Sequence, residues 1–185
     1  SLSSLTSSQM QAMDEAQISV LSTAQTQAIR ANVLAIMDQT QVNALTTSQV
    51  EALSQTQVQG LTGQQVSWLD TNQFRALETR DIAALTADQI TFVTADQIQA
   101  LTTSQLQAIE TRDLVSISNA QLSAFQDDQI GDLTSTQVGA LLTSQISALS
   151  TNQFAALETT DLAVLNSSQI RAVQVEQLAV MDDAH

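Results

Sequence analysis

The segment Leu45-Thr46-Thr47-Ser48-Gln49-Val50-Glu51-Ala52-Leu53 contains the repeating unit from which the fold can be predicted. Its last eight residues recur, with variation, as an octad that runs from Thr6 to Met181 without insertion or deletion, giving 22 copies in a chain of 185 residues. The consensus is T-x-x-Q-φ-x-A-L, in which φ is Ile, Val or Leu. A short unit repeated so often predicts a repeat architecture, in which neighbouring units stack to bury a continuous core.

The eight positions of the octad have strong residue preferences. Position 8 is apolar in all 22 octads and position 5 in 21, with Thr26 as the exception. Position 4 is Gln in 18 octads, position 1 is Ser, Thr, Asp or Asn in 15, and position 7 is mostly Ala. Ser/Thr-x-x-Gln is the sequence of a capping box, in which the side chain of position 1 accepts from the amide of position 4 and the Gln side chain accepts from the amide of position 1.

The apolar positions complete this local structure. Position 8 of one octad and position 5 of the next form a hydrophobic staple around the capping box, so each octad is predicted to start a new helix. A helix of two turns is unstable by itself, so the octads must stack, with positions 5 and 8 inside and Ala at position 7 allowing close approach. We therefore predict an all-α solenoid of about 22 very short helices, a single repeat domain over residues 1–185 with the repeat frame at 6–181.

Two other folds fit the repeat less well. In one uninterrupted helix, the apolar stripe would drift by about 80° per octad and wind around the outside. A β-solenoid, which stays the alternative, usually has Gly or Asn at its corners, but this chain has four Gly in all. Gln, Ala and Leu favour helix, and positions 5 and 8 are spaced as a helical i, i+3 pair.

The number of octads per solenoid turn is less well determined by the sequence. Glu at position 1 occurs together with Asp at position 4 in three even-numbered octads, which contain Asp81, Asp113 and Asp161. This weak period of sixteen favours two octads per turn. The carbonyls at the helix C-termini lack Gly caps, so we expect 3₁₀ closures or bonds from Ser/Thr hydroxyls at positions 1 to 3.

A few octads depart from the consensus. The octad Arg30–Met37 has lost both its cap residue and its Gln, which predicts a fused helix or a defect in the stack. The three Glu-x-x-Asp segments place acids in the first helical turn, where the helix dipole favours them, and Arg80 and Arg112 are expected to form local salt bridges.

Composition excludes several classes of function. The net charge is −14 with five Arg and no Lys, so no basic stripe exists for nucleic acid, and an anionic membrane surface would repel the chain. No run of eighteen apolar residues predicts a membrane span. The chain has no Cys and a single His, His185, at its end, and it has no Gly-rich phosphate loop. Ser1 in place of Met favours a fragment of a longer chain.

No catalytic residue, cofactor or metal site is predicted. Ser and Thr are plentiful, but the capping boxes use them and no base is evident beside them. Asp88 and Asp96, in consecutive octads, would lie one above the other on a solenoid face, where weak divalent-cation binding competes with a simpler interpretation as solvated acids.

Three aromatic residues are the candidates for partner binding. Trp68 and Phe92 occupy the usual Ala position, and Phe74 lies nearby in sequence. They either fill gaps in the core or mark an exposed patch for a protein partner. Burial of these residues would favour a spacer, whereas a shared exposed face would favour a binding surface.

From Leu45 to Ile109 the chain resembles the Leu-Thr-Thr-x-Gln-Ile-x-Ala-Leu repeats of very large, acidic, secreted or surface proteins of Gram-negative bacteria. This resemblance implies a secreted or cell-surface setting and carries no catalytic motif. The leading hypothesis is a non-enzymatic rod or spacer. The alternative is a repeat array that binds a protein partner or associates with itself, and an enzyme is the least favoured class.

Overall fold

The computed structural model describes residues 2–181 and confirms the all-helical solenoid. A short 3₁₀ helix over Leu2–Ser4 precedes 22 α-helices of four to six residues, one in each octad. No strand occurs among the described residues, so the β-solenoid is not supported. The helices are α1 (Ser7–Gln11), α2 (Glu15–Ser19), α3 (Thr23–Gln27), α4 (Ala31–Leu34), α5 (Gln39–Asn43), α6 (Thr47–Glu51), α7 (Gln55–Gly60), α8 (Gly63–Trp68), α9 (Thr71–Arg75), α10 (Thr79–Ala84), α11 (Ala87–Thr91), α12 (Ala95–Ala100), α13 (Thr103–Ala108), α14 (Thr111–Leu114), α15 (Asn119–Leu122), α16 (Asp127–Gly131), α17 (Ser135–Ala140), α18 (Thr143–Ala148), α19 (Thr151–Ala155), α20 (Thr159–Ala163), α21 (Ser167–Ala172) and α22 (Val175–Leu178).

The capping box forms in every octad that has Ser, Thr, Asp or Asn at position 1. In the octad of Thr94, the backbone N–H of Gln97 donates to Thr94 Oγ1 over 3.3 Å, and Gln97 Oε1 accepts from the backbone N–H of Thr94 over 3.0 Å. Where position 1 is Gln or Leu, half of the box remains, as when the N–H of Leu142 donates to Gln145 Oε1 over 2.9 Å. Among residues 2–181, every helix except α4 and α14 is therefore capped at its N-terminus by side chains of its own octad.

Each helix ends in a 3₁₀ closure, as expected. In all 22 octads the N–H of position 8 donates to the carbonyl of position 5, for example from Leu69 to Val66 over 3.3 Å. The next residue begins a new helix in extended backbone conformation, so the chain turns at every octad without a positive φ angle in residues 2–181. This explains why the repeat needs neither Gly nor Asn at its turns.

The octads stack with a different period from the predicted one. The strongest helix–helix contacts all join helices three apart in the chain, such as α4 with α7 and α9 with α12. Side chains of position 4 also reach the octad four units earlier, as when Gln41 donates to the carbonyls of Met10 and Met13. One superhelical turn therefore contains between three and four octads, and the prediction of two octads per turn is wrong. The period of sixteen came from three substituted octads and does not reflect the stacking.

Positions 5 and 8 form one continuous core along the superhelix, as predicted. The residues at position 5 are at most 4% exposed in the first nineteen octads, including Phe74 and Phe154. Even the exceptional Thr26 is fully buried, because its hydroxyl donates to the carbonyl of Ser22 over 3.1 Å. Most position-8 residues from Ile29 to Leu157 are buried as well. The apolar core thus follows the octad frame through the whole stack.

The octad Arg30–Met37 is an ordinary member of the stack rather than a fused helix or a defect. Its helix α4 begins without a side-chain cap, and Val33 replaces Gln at position 4 as a fully buried apolar residue. Arg30 donates through its guanidinium to the carbonyl of Leu5 over 3.0 Å. In this octad, the bond from Arg30 to an earlier turn replaces the bond that a Gln at position 4, such as Gln41, makes to the octad four units earlier.

Candidate functional site

The Gln at position 4 is the residue that joins successive turns of the superhelix. In the octad of Gln97, the Nε2 group donates to the carbonyl of Val66 over 2.8 Å and to that of Leu69 over 2.7 Å. These carbonyls are positions 5 and 8 of the octad four units earlier, at the C-terminal end of its helix. One amide side chain therefore caps the start of its own helix with oxygen and the end of an earlier helix with nitrogen.

This bridge recurs at every position-4 Gln from the fifth octad onward. In all fifteen cases Nε2 donates to the position-8 carbonyl four octads earlier, and in most it also donates to the position-5 carbonyl. Among residues 2–181, the Ser/Thr hydroxyls at positions 1 to 3, which were the alternative to 3₁₀ closures, do not bond to these carbonyls; the Gln amide does. The fifteen residues are Gln41, Gln49, Gln57, Gln65, Gln73, Gln89, Gln97, Gln105, Gln121, Gln129, Gln137, Gln145, Gln153, Gln169 and Gln177.

Three octads replace this Gln by Asp, which has no amide donor. Asp81, Asp113 and Asp161 are all buried, and Asp81 is 0% exposed. Asp81 Oδ2 accepts from the N–H of Glu78 over 3.2 Å and so keeps half of the capping box, but Asp81 Oδ1 has no hydrogen-bond partner. Asp161 differs, because its Oδ1 accepts from the hydroxyl of Ser135 over 2.8 Å.

The predicted local salt bridges form beside two of these residues. Arg80 lies 2.7 Å from Glu78 and 3.7 Å from Asp81 Oδ1, and Arg112 lies 3.0 Å from Glu110. Burial nevertheless raises the pKa of Asp81 above its ordinary value of 3.8, and the backbone N–H of Glu78 and the charge of Arg80 oppose this rise only in part. Burial raises the pKa of Asp113 in the same way, against the charge of Arg112.

The side chain at position 7 packs against the octad three units earlier. In two octads with a large side chain at this position, a glycine in the earlier octad makes room for it. The ring of Phe92 lies so close to Gly63 that a Cβ atom on Gly63 would come within 2.2 Å of it. Val164 similarly lies 3.5 Å from the Cβ position of Gly139. Phe92 and Val164 are therefore accommodated by glycines in a neighbouring turn, a pairing that sequence spacing alone did not reveal because the superhelical period was unknown.

The three aromatic candidates do not form a common exposed face. Phe74 is 1% exposed and belongs to the core, so its predicted partner-binding role is replaced by a packing role. Trp68 is partly buried against the core, whereas Phe92 is 41% exposed and covers Gly63. Only Phe92 of the three offers a largely accessible apolar surface.

The pairing of Gly63 with Phe92 gives a first testable prediction. In the native background, Gly63→Ala displaces the Phe92 ring, and this cost opposes the gain of about 1 kcal/mol in helix propensity. With Phe92→Ala already present, the same substitution should stabilise the protein by about that amount. A double-mutant cycle of urea denaturation measures the difference. Equal effects of Gly63→Ala in both backgrounds would show that the two residues are not coupled.

One cavity within the apolar core lies beside Phe74 and Leu85. Its volume of about 10 Å³ leaves room for no more than a water molecule. Asp88 and Asp96 lie side by side around the superhelix instead of one above the other, because stacked octads are three or four units apart. Within residues 2–181 no three His, Cys, Asp or Glu side chains are grouped as a metal site requires. His185 lies outside the described residues.

The length of the helices also bears on membranes. Among the described residues, no helix is both long and apolar enough to cross a bilayer.

Comparison with known proteins supports the repeat interpretation. Residues 66–103 and 106–143 match the family model of the ALTTAQ repeat. The two matches begin forty residues apart, each at position 5 of an octad, so they share the octad frame. No curated protein matches the chain. This protein is therefore a tandem-repeat chain whose central part is similar to ALTTAQ repeats.

Proposed function

We propose that this solenoid is a non-enzymatic rod or spacer of a secreted or cell-surface protein. The observation that carries the proposal is the Gln bridge: the same residue that starts each helix also joins it to an earlier turn. Because the bridge always joins octads four units apart, the superhelix can be lengthened or shortened without a change in any type of contact. Units that contact only nearby units are typical of solenoids whose length is adjustable.

The surface chemistry also supports a spacer. The hydroxyls at position 1 and most of the Gln amides at position 4 are already used in capping and bridging. The exposed surface is rich in short polar side chains, and the net charge of −14 disfavours lateral clustering of rods. The alternative, a binding array for a protein partner, would have to use Phe92 without the support of Phe74.

The secreted or surface setting rests on the resemblance to acidic repeats of such bacterial proteins and on the chain's lack of Cys and Lys. Antibody labelling of intact cells and of the medium tests this setting. A signal that appears only after permeabilisation would contradict it.

Removal of four whole octads tests the spacer role. Deletion of residues 86–117 should leave a folded helical protein, because every remaining position-4 side chain from the fifth octad onward again faces position 8 of the octad four units earlier. Its maximum dimension should fall by about 10 Å, the thickness of roughly one layer of packed helices. Small-angle scattering measures the dimension and circular dichroism the helix content.

The matched control for this deletion removes residues 86–113, which is three and a half octads. This deletion shifts the frame by four residues and places polar residues opposite the core, so we expect loss of cooperative unfolding. Equal behaviour of the two deletions, or an unchanged dimension after the first, would contradict a modular spacer.

A further inference from the structure

The place where Asp81 faces an earlier turn contains hydrogen-bond acceptors without donors. Asp81 is 0% exposed, and its Oδ1 atom has no hydrogen-bond partner. It lies at position 4 of the tenth octad, so the octad four units earlier, which ends at Leu53, lies opposite. Within residues 2–181 no group donates to the carbonyl of Leu53, a residue that is 1% exposed. Two buried acceptors therefore face the same gap between two turns.

The length of the Asp side chain sets the size of this gap. In the octad of Gln97, Nε2 reaches the equivalent carbonyl of Leu69 over 2.7 Å. Asp is one methylene shorter than Gln, about 1.5 Å, so Asp81 Oδ1 ends roughly 4 Å from the Leu53 carbonyl. That separation is too long for a direct hydrogen bond, even from a protonated carboxyl group. Two hydrogen bonds of about 2.8 Å that meet at one water oxygen do span it.

The protein groups nearest to Asp81 Oδ1 do not supply the missing donor. Asp161, at the same position of the twentieth octad, accepts at Oδ1 from the hydroxyl of Ser135, 26 residues earlier, over 2.8 Å. The residue 26 positions before Asp81 is Gln55, whose Nε2 donates instead to the carbonyl of Arg80 over 3.0 Å. Arg80 Nε is 3.7 Å from Asp81 Oδ1, which is too far for a hydrogen bond but close enough for both atoms to contact one water.

From these contacts we propose that Asp81 binds one buried water molecule, which donates one hydrogen to Asp81 Oδ1 and the other to the Leu53 carbonyl. The water joins the sixth and tenth octads, as the Gln amide joins octads elsewhere. Buried waters typically make about three hydrogen bonds to otherwise unsatisfied groups, and Arg80 provides the third by donating to the water oxygen. The site consists of contacts between two turns, so it does not depend on the function of the lateral surface.

Magnetic relaxation dispersion of the solvent tests this proposal, because it counts the long-lived internal waters of a protein in solution. At neutral pH we expect Asp81→Gln to hold one internal water fewer than the unsubstituted protein. The longer side chain fills the gap and donates to the Leu53 carbonyl itself. Asp81→Asn keeps the short side chain and should keep the water. Asp88→Gln makes the same change of charge as Asp81→Gln at an exposed position and should leave the count unchanged.

A crystal structure of the unsubstituted protein at neutral pH gives the position of the water. We expect a water oxygen within about 3 Å of both Asp81 Oδ1 and the carbonyl oxygen of Leu53. The same structure of Asp81→Gln should show the Gln Nε2 atom bound directly to that carbonyl. Circular dichroism checks that each variant is folded.

Three results would overturn the proposal. An unchanged water count in folded Asp81→Gln would mean that no long-lived water bridges the two turns at this site. Loss of the bound species in Asp81→Asn as well would mean that the carboxylate charge holds it, as expected for a cation and not for a water. A crystal structure in which Asp81 Oδ1 accepts directly from Arg80 would satisfy the carboxylate without a water.

Discussion

Replacement of Gln97 by Ala is expected to destabilise the protein by about 2 to 4 kcal/mol, measured by urea denaturation. The substitution removes the acceptor for the N–H of Thr94 and both donors to the carbonyls of Val66 and Leu69. The Leu69 carbonyl is the more affected, because it ends a helix, whereas the Val66 carbonyl also accepts from the N–H of Leu69. A buried carbonyl that loses its donor retains the full cost of desolvation.

Gln17 provides the matched control for this experiment. It forms the same capping box, with bonds of 3.0 and 2.8 Å to Asp14, but it has no earlier octad to bridge. Gln17→Ala should therefore cost only about 0.5 to 1 kcal/mol, the usual scale of a capping interaction. The difference between the two substitutions measures the bridge. Equal losses would show that capping alone explains the position-4 Gln.

Asp81→Gln is expected to stabilise the protein by about 1 to 3 kcal/mol at neutral pH. The change replaces a buried carboxylate whose Oδ1 has no hydrogen-bond partner by Gln, which 18 other octads have at this position and which fifteen of them use to bridge the turns. A Gln side chain is one methylene longer and should donate to the carbonyls of Val50 and Leu53, the counterparts of Val66 and Leu69. Thermal and urea denaturation measure the gain.

The gain from Asp81→Gln should depend on pH in a defined direction. Burial raises the pKa of Asp81 above 3.8 in the folded protein, so the folded state holds the proton more tightly than the unfolded state. The stability linked to this proton is fully present below pH 3.8 and is lost as the pH rises through the folded-state pKa. The advantage of the Gln variant should therefore be smallest in acid and largest at neutral pH.

Asp161 offers the control for the second prediction. Its Oδ1 already accepts from the Ser135 hydroxyl, and a Gln there would give up that bond, so Asp161→Gln should gain less than Asp81→Gln. A stabilisation by Asp81→Gln that is the same at every pH would show that the carboxylate charge is not what destabilises the native octad.

The local structure of each octad was predictable because it depends on residues at most a few positions apart. The capping box joins positions 1 and 4, the 3₁₀ closure joins positions 5 and 8, and the staple spans the boundary between octads. These bonds form wherever the residue types occur, so one octad such as Thr46–Leu53 is enough to predict the start and end of its helix. The all-α class and the apolar core at positions 5 and 8 follow from the same short-range pattern.

The stacking of the octads was not predictable from the same pattern. A strict period of eight fits two, three or four octads per turn equally well, and the three Glu-x-x-Asp octads pointed to the wrong number. Only the tertiary structure brings Gln97 beside Leu69 and Phe92 beside Gly63, because those residues are 28 and 29 positions apart. Phe74 is the opposite case: it lies at position 5, so the octad pattern already placed it in the core, where it is 1% exposed.

Bonds within one octad, and across its boundary with the next, were enough to predict where the helices begin and end in the regular octads. The exception is Arg30–Met37, for which the sequence indicated a fused helix or a defect. The number of octads in a turn, and the bridging of the turns by position 4, emerged only from the packing of the helices, because the amide of the position-4 Gln has two ends. The side-chain oxygen accepts a bond within its own octad, so its role is visible in the sequence. The partner of the side-chain nitrogen depends on how the short helices pack.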